Sequence, residues 1–351
     1  MGDIQVAQKE ETYAKRHHTR GRHAVQYFKE GQIINYKFRI EKMIGGGGFG
    51  QIYRGRIDEK FQKRPIICNE NYLYYNVLTV TCCISEVLPR TKSVMAIKVE
   101  PEGHEPGRMI LEQKVMLKLR GTPHIPQFYA SGNFDGYNFI AMQILGRNLS
   151  ELRKKQSEKR LSISTVSRLG SQLVTALKAV HDIGYIHRDV KPSNICIGLH
   201  SQKRTVYIVD FGMARQYRFD DGMVRKERHY AGFRGTMRYV SVTVHERRDQ
   251  GPVDDFWSLF YSLIELIQGS LPWTLLIEPN EIAKYKKNVT FDEFGSLVPK
   301  EMETIMKHLS QLHYHQIPDY ELLAGQLNKM LPKNTSEDLN IFVAHGGDSN
   351  I

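Results

Sequence analysis

His187-Arg188-Asp189 stands five residues before Asn194, and Asp210-Phe211-Gly212 follows beyond a short apolar run. Side chains of these types in this order suit the transfer of a phosphoryl group. Asp189 can accept or orient the proton of an attacking hydroxyl, Asn194 and Asp210 can hold magnesium, and Lys191 can neutralise charge on the moving group. An H-R-D triplet alone means little, and Lys191-Pro192 alone would be a turn in an ordinary loop. The ordered set is what makes the pattern specific.

Upstream, Gly45-Gly46-Gly47-Gly48-Phe49-Gly50-Gln51-Ile52 reads as G-x-G-x-x-G followed by an apolar residue. Without Cβ atoms, backbone N–H groups can approach phosphates, so Gly45, Gly47, Gly48, Phe49, Gly50 and Ile52 are candidate nucleotide contacts. A dinucleotide-binding fold shares this spacing, but it needs a helix opening at the glycines and an acidic residue about 20 positions on. The run from Gln51 to Gly55 has strand character instead, which favours phosphoryl transfer. Val94-Met95-Ala96-Ile97-Lys98-Val99 then reads as a strand carrying a lysine that can anchor the nucleotide, with Ala96 beside it; a solvated strand lysine is the plainer alternative. A helical stretch opens near Pro106, carries Met109, Val115, Met116 and Leu119, and stops at Gly121. Glu112 within it is the favoured partner for Lys98, and such a pair would fix the lysine against the phosphates. Glu105 is the competing carboxylate, but it precedes Pro106.

These motifs resemble those of the casein kinase 1 group of protein Ser/Thr kinases, most of all its tau-tubulin kinase branch. The similarity runs from about Ile33 to Leu331 and rests on Gly45 to Ile52, His187 to Asn194, Asp210 to Arg215, Ala231 to Tyr239, Asp254 to Tyr261 and Gly269 to Trp273. Ser241-Val242-Thr243 occupies the place of the group's S-I-N and departs from it in the last residue. The resemblance implies an α+β bilobal protein kinase fold, with a small antiparallel-sheet N-lobe, a larger helical C-lobe and the nucleotide cleft between them. It implies ATP and Mg2+ as cofactors, Met142 as the gatekeeper beside adenine, and main-chain contacts from Gln143 and Leu145. It also makes Asp255 a buried tether for the catalytic loop, and Thr236 a partner of Asp189 and Lys191. Arg238 and Lys284 match an anion pocket beside the substrate groove. For Lys284 a solvated patch with Lys286 and Lys287 would look the same.

The 351 residues accommodate one such domain with extensions, and 41% hydrophobic content supports a substantial core. Residues 1–32 form a basic extension, expected to be flexible, that contains Lys15-Arg16-His17-His18-Thr19-Arg20-Gly21-Arg22-His23. Residues 33–145 make the N-lobe, residues 146–331 a helical C-lobe and residues 332–351 a polar tail. Val166, Leu169, Leu173, Leu177 and Val180, closed by Gly184, form one core stripe; Phe256, Leu259, Phe260, Leu263, Ile264 and Ile267, closed by Gly269, form another. No run is long and apolar enough to span a bilayer and no signal peptide is visible, so no membrane is expected. Four cysteines without metal-ligand spacing fit a reducing compartment, cytoplasmic or nuclear, and a monomer is expected.

The net charge of +11 calls for an anionic partner. No nucleic-acid module is recognisable, whereas Arg215, Arg218, Arg225, Lys226, Arg228 and Arg234 gather in the segment after Asp210-Phe211-Gly212. Protein substrates with acidic or phosphorylated segments are therefore expected, and no specific nucleic acid. Between Met213 and Gly235 the only hydroxyls are Tyr217 and Tyr230, so activity without activation-loop phosphorylation is expected. A pseudokinase scaffold binding anionic partners is the alternative, yet none of the lysine and carboxylates it would lack is missing. About 25 extra residues, an atypical insertion at roughly 61–88, separate Tyr53 from Lys98. This apolar stretch either adds a hairpin or docking surface, or does not belong to the mature protein, the reading favoured here.

Overall fold

The computed structural model describes residues 25–47, 50–58, 94–105 and 107–332. Gly48, Phe49, Pro106, the basic run at 15–23, the insertion at 61–88 and the tail from 333 lie outside the described residues. The chain divides into two compact units, one of Met1–Leu117 with Gln127–Ile144 and one of Lys118–Pro126 with Leu145–Ile351.

The first unit is a six-stranded antiparallel sheet of order β1-β2-β3-β4-β6-β5. Its strands are β1 (Ile33–Ile34), β2 (Phe38–Gly47), β3 (Gly50–Ile57), β4 (Val94–Pro101), β5 (Phe128–Phe134) and β6 (Tyr137–Gln143), with helix α1 (Arg108–Lys118) between β4 and β5. Ladder pairing fixes which residues share a face, because side chains alternate with period two. Ile52 pairs with Lys98 and Lys98 with Ile140, while Ala96 pairs with Met142 and Gly45 with Ile52. These residues therefore lie on one face. Tyr53, Met95, Ile97, Val99, Phe139 and Ala141 turn to the other, where they pack with Phe28, Ile34, Phe38, Ile40 and Ala130.

Phe28 corrects the expected boundary at residue 33. Its ring is 1% exposed and makes an edge contact with Tyr137 at 5.1 Å. Its N–H donates to Tyr53 Oη at 3.1 Å, and Gln51 receives the Tyr27 N–H at 2.9 Å while donating to Val25 O at 2.7 Å. The described residues 25–32 thus form part of the sheet's packing, since burying one aromatic side chain contributes on the order of 2 kcal/mol.

The second unit holds α2 (Leu149–Lys155), α3 (Ile163–Asp182), α4 (Val242–His245), α5 (Pro252–Gln268), α6 (Pro279–Asn288), α7 (Glu301–Ser310) and α8 (Tyr320–Lys329). It also contains two ribbons that a purely helical reading of 146–331 passes over, β7 (Tyr185–Ile186) with β10 (Arg215–Gln216), and β8 (Ile195–Ile197) with β9 (Val206–Ile208). Both apolar stripes read from the sequence are buried. Ser162 caps the start of α3, its hydroxyl accepting the Thr165 N–H at 3.2 Å, and Gly184 follows the helix end at φ +80°. Gly269 caps α5 at φ +91°. Residues 118–126 join this unit rather than the sheet because His124 O accepts the Ile208 N–H at 3.0 Å, and His124 Nδ1 lies 2.9 Å from Val206 O.

Candidate active site

In the first unit, Lys98 is 7% exposed and its Nζ lies 2.6 Å from Glu112 Oε2. Glu112 itself is 1% exposed, on the buried side of α1. Of the two carboxylates weighed from the sequence, Glu112 makes this contact, whereas Glu105 lies 3.6 Å from Arg108. A carboxylate the sequence reading passed over also approaches: Glu100 Oε1 is 3.7 Å from Lys98 Nζ, two residues further along the same face of β4. Period-two spacing from Lys98 was the available signal.

The glycines differ in what requires them. A Cβ on Gly50 would stand 2.2 Å from Val99 O, and Gly50 has φ +128°, so the approach of β3 to β4 dictates glycine there. Among the described residues, a Cβ on Gly47 would meet nothing within 4 Å, and one on Gly45 would meet only Ile52 at ordinary contact distance. No described residue demands those two glycines. Open space beside a backbone with no side chain suits a phosphate, so the strand fits the nucleotide the motif implies. Ala96 and Met142 are opposed in the ladder on the same face as Lys98. Gln143 donates its N–H to Gln127 O at 2.8 Å, so this N–H is not available to a purine. Leu145 opens the second unit, and Gly48 and Phe49 lie outside the described residues.

In the second unit, the catalytic loop is anchored from below by α5. Asp255 is 1% exposed and accepts the His187 N–H at 2.7 Å and the Arg188 N–H at 2.8 Å, while His181 Nε2 lies 3.0 Å away. Burial alone would raise the Asp255 carboxyl; its hydrogen bond and charge interaction with His181 and those with His187 outweigh that and hold it below the ordinary value. Above this tether the loop carries its working groups. Asp189 Oδ1 accepts from Thr236 Oγ1 at 2.7 Å, and Asp189 Oδ2 lies 2.7 Å from Lys191 Nζ. Lys191 also donates to Thr236 at 2.8 Å. Asn194 gives its side-chain N–H groups to Asp189, at 3.0 Å to the backbone oxygen and 3.1 Å to Oδ2.

That donation turns the Asn194 amide so that its oxygen remains as a hard ligand. The β8–β9 ribbon brings the other candidate metal ligand alongside, because Ile195 pairs with Ile208 and Val209 donates to Asn194 O at 2.9 Å. Asp210 is the next residue and sits at φ +68°; Arg188 has φ +66°. Such left-handed conformations cost of order 1–3 kcal/mol for non-glycine residues and persist where surrounding structure imposes them. His187 links the two motifs: its Nε2 donates to Val209 O at 3.1 Å, its Nδ1 accepts the Asp189 N–H at 3.3 Å, and its ring meets Phe211 at 5.1 Å. One carboxylate and one amide oxygen suit magnesium, which keeps several waters and prefers oxygen ligands.

The two expected anion-pocket residues lie in the same unit with different surroundings. Arg238, 40% exposed at its side chain, donates to the buried Glu265 at 3.0 Å. Lys284 is exposed on α6. Its neighbour Lys286 is not part of a solvated patch, which corrects that reading. Lys286 is 4% exposed, donates to Met237 O at 2.8 Å and Val240 O at 2.6 Å, and lies about 5 Å from the Tyr261 and Trp273 ring centres. Burial pulls the Lys286 ammonium well below its ordinary value, and burial together with Lys286 lowers His245 to about 4. Trp273 Nε1 adds a bond to Arg238 O at 2.9 Å. The stretch 237–240 is therefore clamped at three carbonyls. The four-residue spacing of Ile282 and Lys286 on one helix face could have revealed this.

A strand-borne Lys–Glu pair, a glycine-rich motif and a tethered H-R-D loop beside D-F-G define a protein kinase domain. The protein kinase domain family matches residues 79–334. A Dictyostelium discoideum protein described as a probable serine/threonine-protein kinase is 38% identical over 86% of this chain and 55% of its own length. A casein kinase I-like protein of Caenorhabditis elegans is 40% identical over 73% of the chain and 67% of its own length. An inactive tau-tubulin kinase of the same organism is 38% identical over 61% of the chain and 78% of its own length. The chain belongs to the protein kinase family, in the casein kinase 1 group of Ser/Thr kinases related to the tau-tubulin kinases. It spans about half the length of the Dictyostelium relative.

Proposed function

We propose that this chain is a catalytically active, ATP-dependent protein Ser/Thr kinase. Asp189 carries the reading: a buried carboxylate, tethered through Asp255 and bonded to Thr236, Lys191 and Asn194. A carboxylate has about four lone-pair sites, so Asp189 retains acceptor capacity for a substrate hydroxyl. In this reading Asp189 orients the hydroxyl of a substrate Ser or Thr and takes its proton. Lys191 faces the charge that develops on the transferred group, and Lys98, braced by Glu112, holds the phosphates of ATP beneath Gly45, Gly47 and Gly50. Asn194 and Asp210 would hold Mg2+, which would supply charge neutralisation at the phosphates when bound. Positioning and fixed charge supply most of the acceleration in such a reaction.

The similarity to an inactive tau-tubulin kinase is the argument for a scaffold instead. Against it stand Lys98, Glu112, Asp189, Asn194 and Asp210, all retained. Substrates with acidic or phosphorylated residues near the target hydroxyl are favoured by the half-exposed Arg238 and the exposed Lys284. Activity without activation-loop phosphorylation is favoured by the lack of Ser or Thr in 213–235 and by the burial of Tyr217, which donates to His181 O at 3.1 Å. Protein made in a host lacking kinases, and shown by mass spectrometry to be unphosphorylated, should transfer labelled phosphate from ATP to Ser/Thr peptides, faster when acidic or phosphorylated residues precede the target. A requirement for an upstream kinase, or preference for basic residues there, would overturn the corresponding half.

A further inference from the structure

In the stretch after Asp210-Phe211-Gly212, Arg215 and Arg228 meet one buried carboxylate, Asp249, and their charges and that of Arg234 act on Arg188. Arg188, in the catalytic loop, donates through Nε to Met213 O at 2.6 Å and through Nη2 to Ala214 O at 3.4 Å. Burial, then the charges of Arg215, Arg234 and Arg228, pull Arg188 down to about 10. Those neighbours are concentrated enough to disfavour its charge, and Asp249 is the carboxylate that offsets them. Asp249, 1% exposed, accepts from Arg228 Nε and Nη2 at 2.9 Å each and from the Arg228 N–H at 3.3 Å. Arg215 approaches both of its oxygens at 3.5 Å. Burial pushes the Asp249 carboxyl up, but the Arg228 bonds and Arg215 leave it below the ordinary value.

We propose that Asp249 is a positioning residue that does here what a phosphorylated Ser or Thr does in switchable kinases: it gathers the arginines and holds the activation segment in order. The inference rests on the reading that the enzyme works without activation-loop phosphorylation, and supplies its physical cause. A phosphate orders such a segment through paired hydrogen bonds and charge. Asp249 makes the same kind of bidentate contact with Arg228 from outside the segment, just before α5. It therefore ties residues 215 and 228, the first near the start of the segment and the second in its later half, to a helix that also anchors the catalytic loop through Asp255. Arg218 reinforces the path by donating to Asp182 O at 2.8 Å and His181 O at 3.1 Å, and Gln250, next to Asp249, donates to Arg234 O at 3.1 Å. With the carboxylate present at all times, Arg215 and Arg228 are held without any modification.

The test uses the full unphosphorylated chain and a neutral Ser peptide, so that substrate charge does not interfere. Asp249→Asn keeps the shape and removes the charge; it should lower kcat/KM at least 10-fold, mostly in kcat, while Asp249→Glu keeps most of the activity. In Asp249→Ala, inorganic sulfate should restore activity saturably, whereas chloride at matched ionic strength should not. Arg228→Ala in addition should abolish that rescue. Full activity of Asp249→Asn would overturn the inference, as would a loss with a native melting temperature that sulfate does not relieve in Asp249→Ala. Should both uncharged variants fail to fold, Arg228→Ala alone decides: undiminished kcat contradicts the inference and a 10-fold fall supports it. An inactive unphosphorylated wild type would instead refute the underlying reading of control.

Discussion

Single glycines separate the demands of the fold from those of the ligand. Gly50 and Gly47 lie three residues apart in the same motif, yet only Gly50 has φ in the left-handed region and a backbone oxygen where a Cβ would go. Gly50→Ala should lower the melting temperature, with a cost of about 1–3 kcal/mol or more for strain alone. Gly47→Ala should leave the melting temperature near wild type and raise KM for ATP. Equal losses of stability in both would show that the protein's own packing, not the nucleotide, requires Gly47. The sequence presented these glycines as one motif because spacing carries no information on what each Cβ would meet. It was more informative about Asp189, Asn194 and Asp210, whose types limit their chemistry. It was least informative about Lys286 and Asp249, whose partners lie far away in the chain or in a segment read only as a charged loop.

Strands and helices matter here for what they hold in register. β3 carries Ile52 towards the Lys98 face and Gln51 and Tyr53 towards the core that contains Phe28. Gln51 is 1% exposed and its amide closes on both Val25 O and the Tyr27 N–H, as a neighbouring strand would. Residues 25–28 therefore brace β3, the strand that begins at the last glycine of the motif. Gln51→Ala should raise KM for ATP roughly 3–10-fold, the scale of one or two net hydrogen bonds. Phe28→Ala should act in the same direction, with a larger drop in melting temperature. An unchanged KM in a Gln51→Ala protein whose melting temperature has fallen would mean that the brace serves stability alone. Nothing in the sequence marks this element, because four residues are too few for a period and the partners of Gln51 lie 24 and 26 residues upstream. The long helices were legible for the opposite reason: α3 and α5 repeat their apolar positions over 20 and 17 residues and end at glycines with positive φ.

At the scale of the whole molecule, a basic chain with net charge +11 carries the antiparallel sheet unit and the largely helical unit of a protein kinase domain. Among the described residues, no helix is long and apolar enough to cross a membrane. The sequence offered a sheet-rich stretch at 33–145 and a helical one at 146–331; the membership of 118–126 was not legible, since it depends on the pairing of His124 with β9. The proposed activity depends on Asp189 acting on a substrate hydroxyl within an otherwise intact structure. Its most direct test is phosphate transfer from ATP to a Ser/Thr peptide by purified wild type and by Asp189→Asn, with the melting temperature of each measured alongside. Wild type should show measurable transfer and the variant a fall in kcat/KM on the order of 100-fold or more, with little change in melting temperature. Near-normal transfer by Asp189→Asn, or none by wild type, would contradict it.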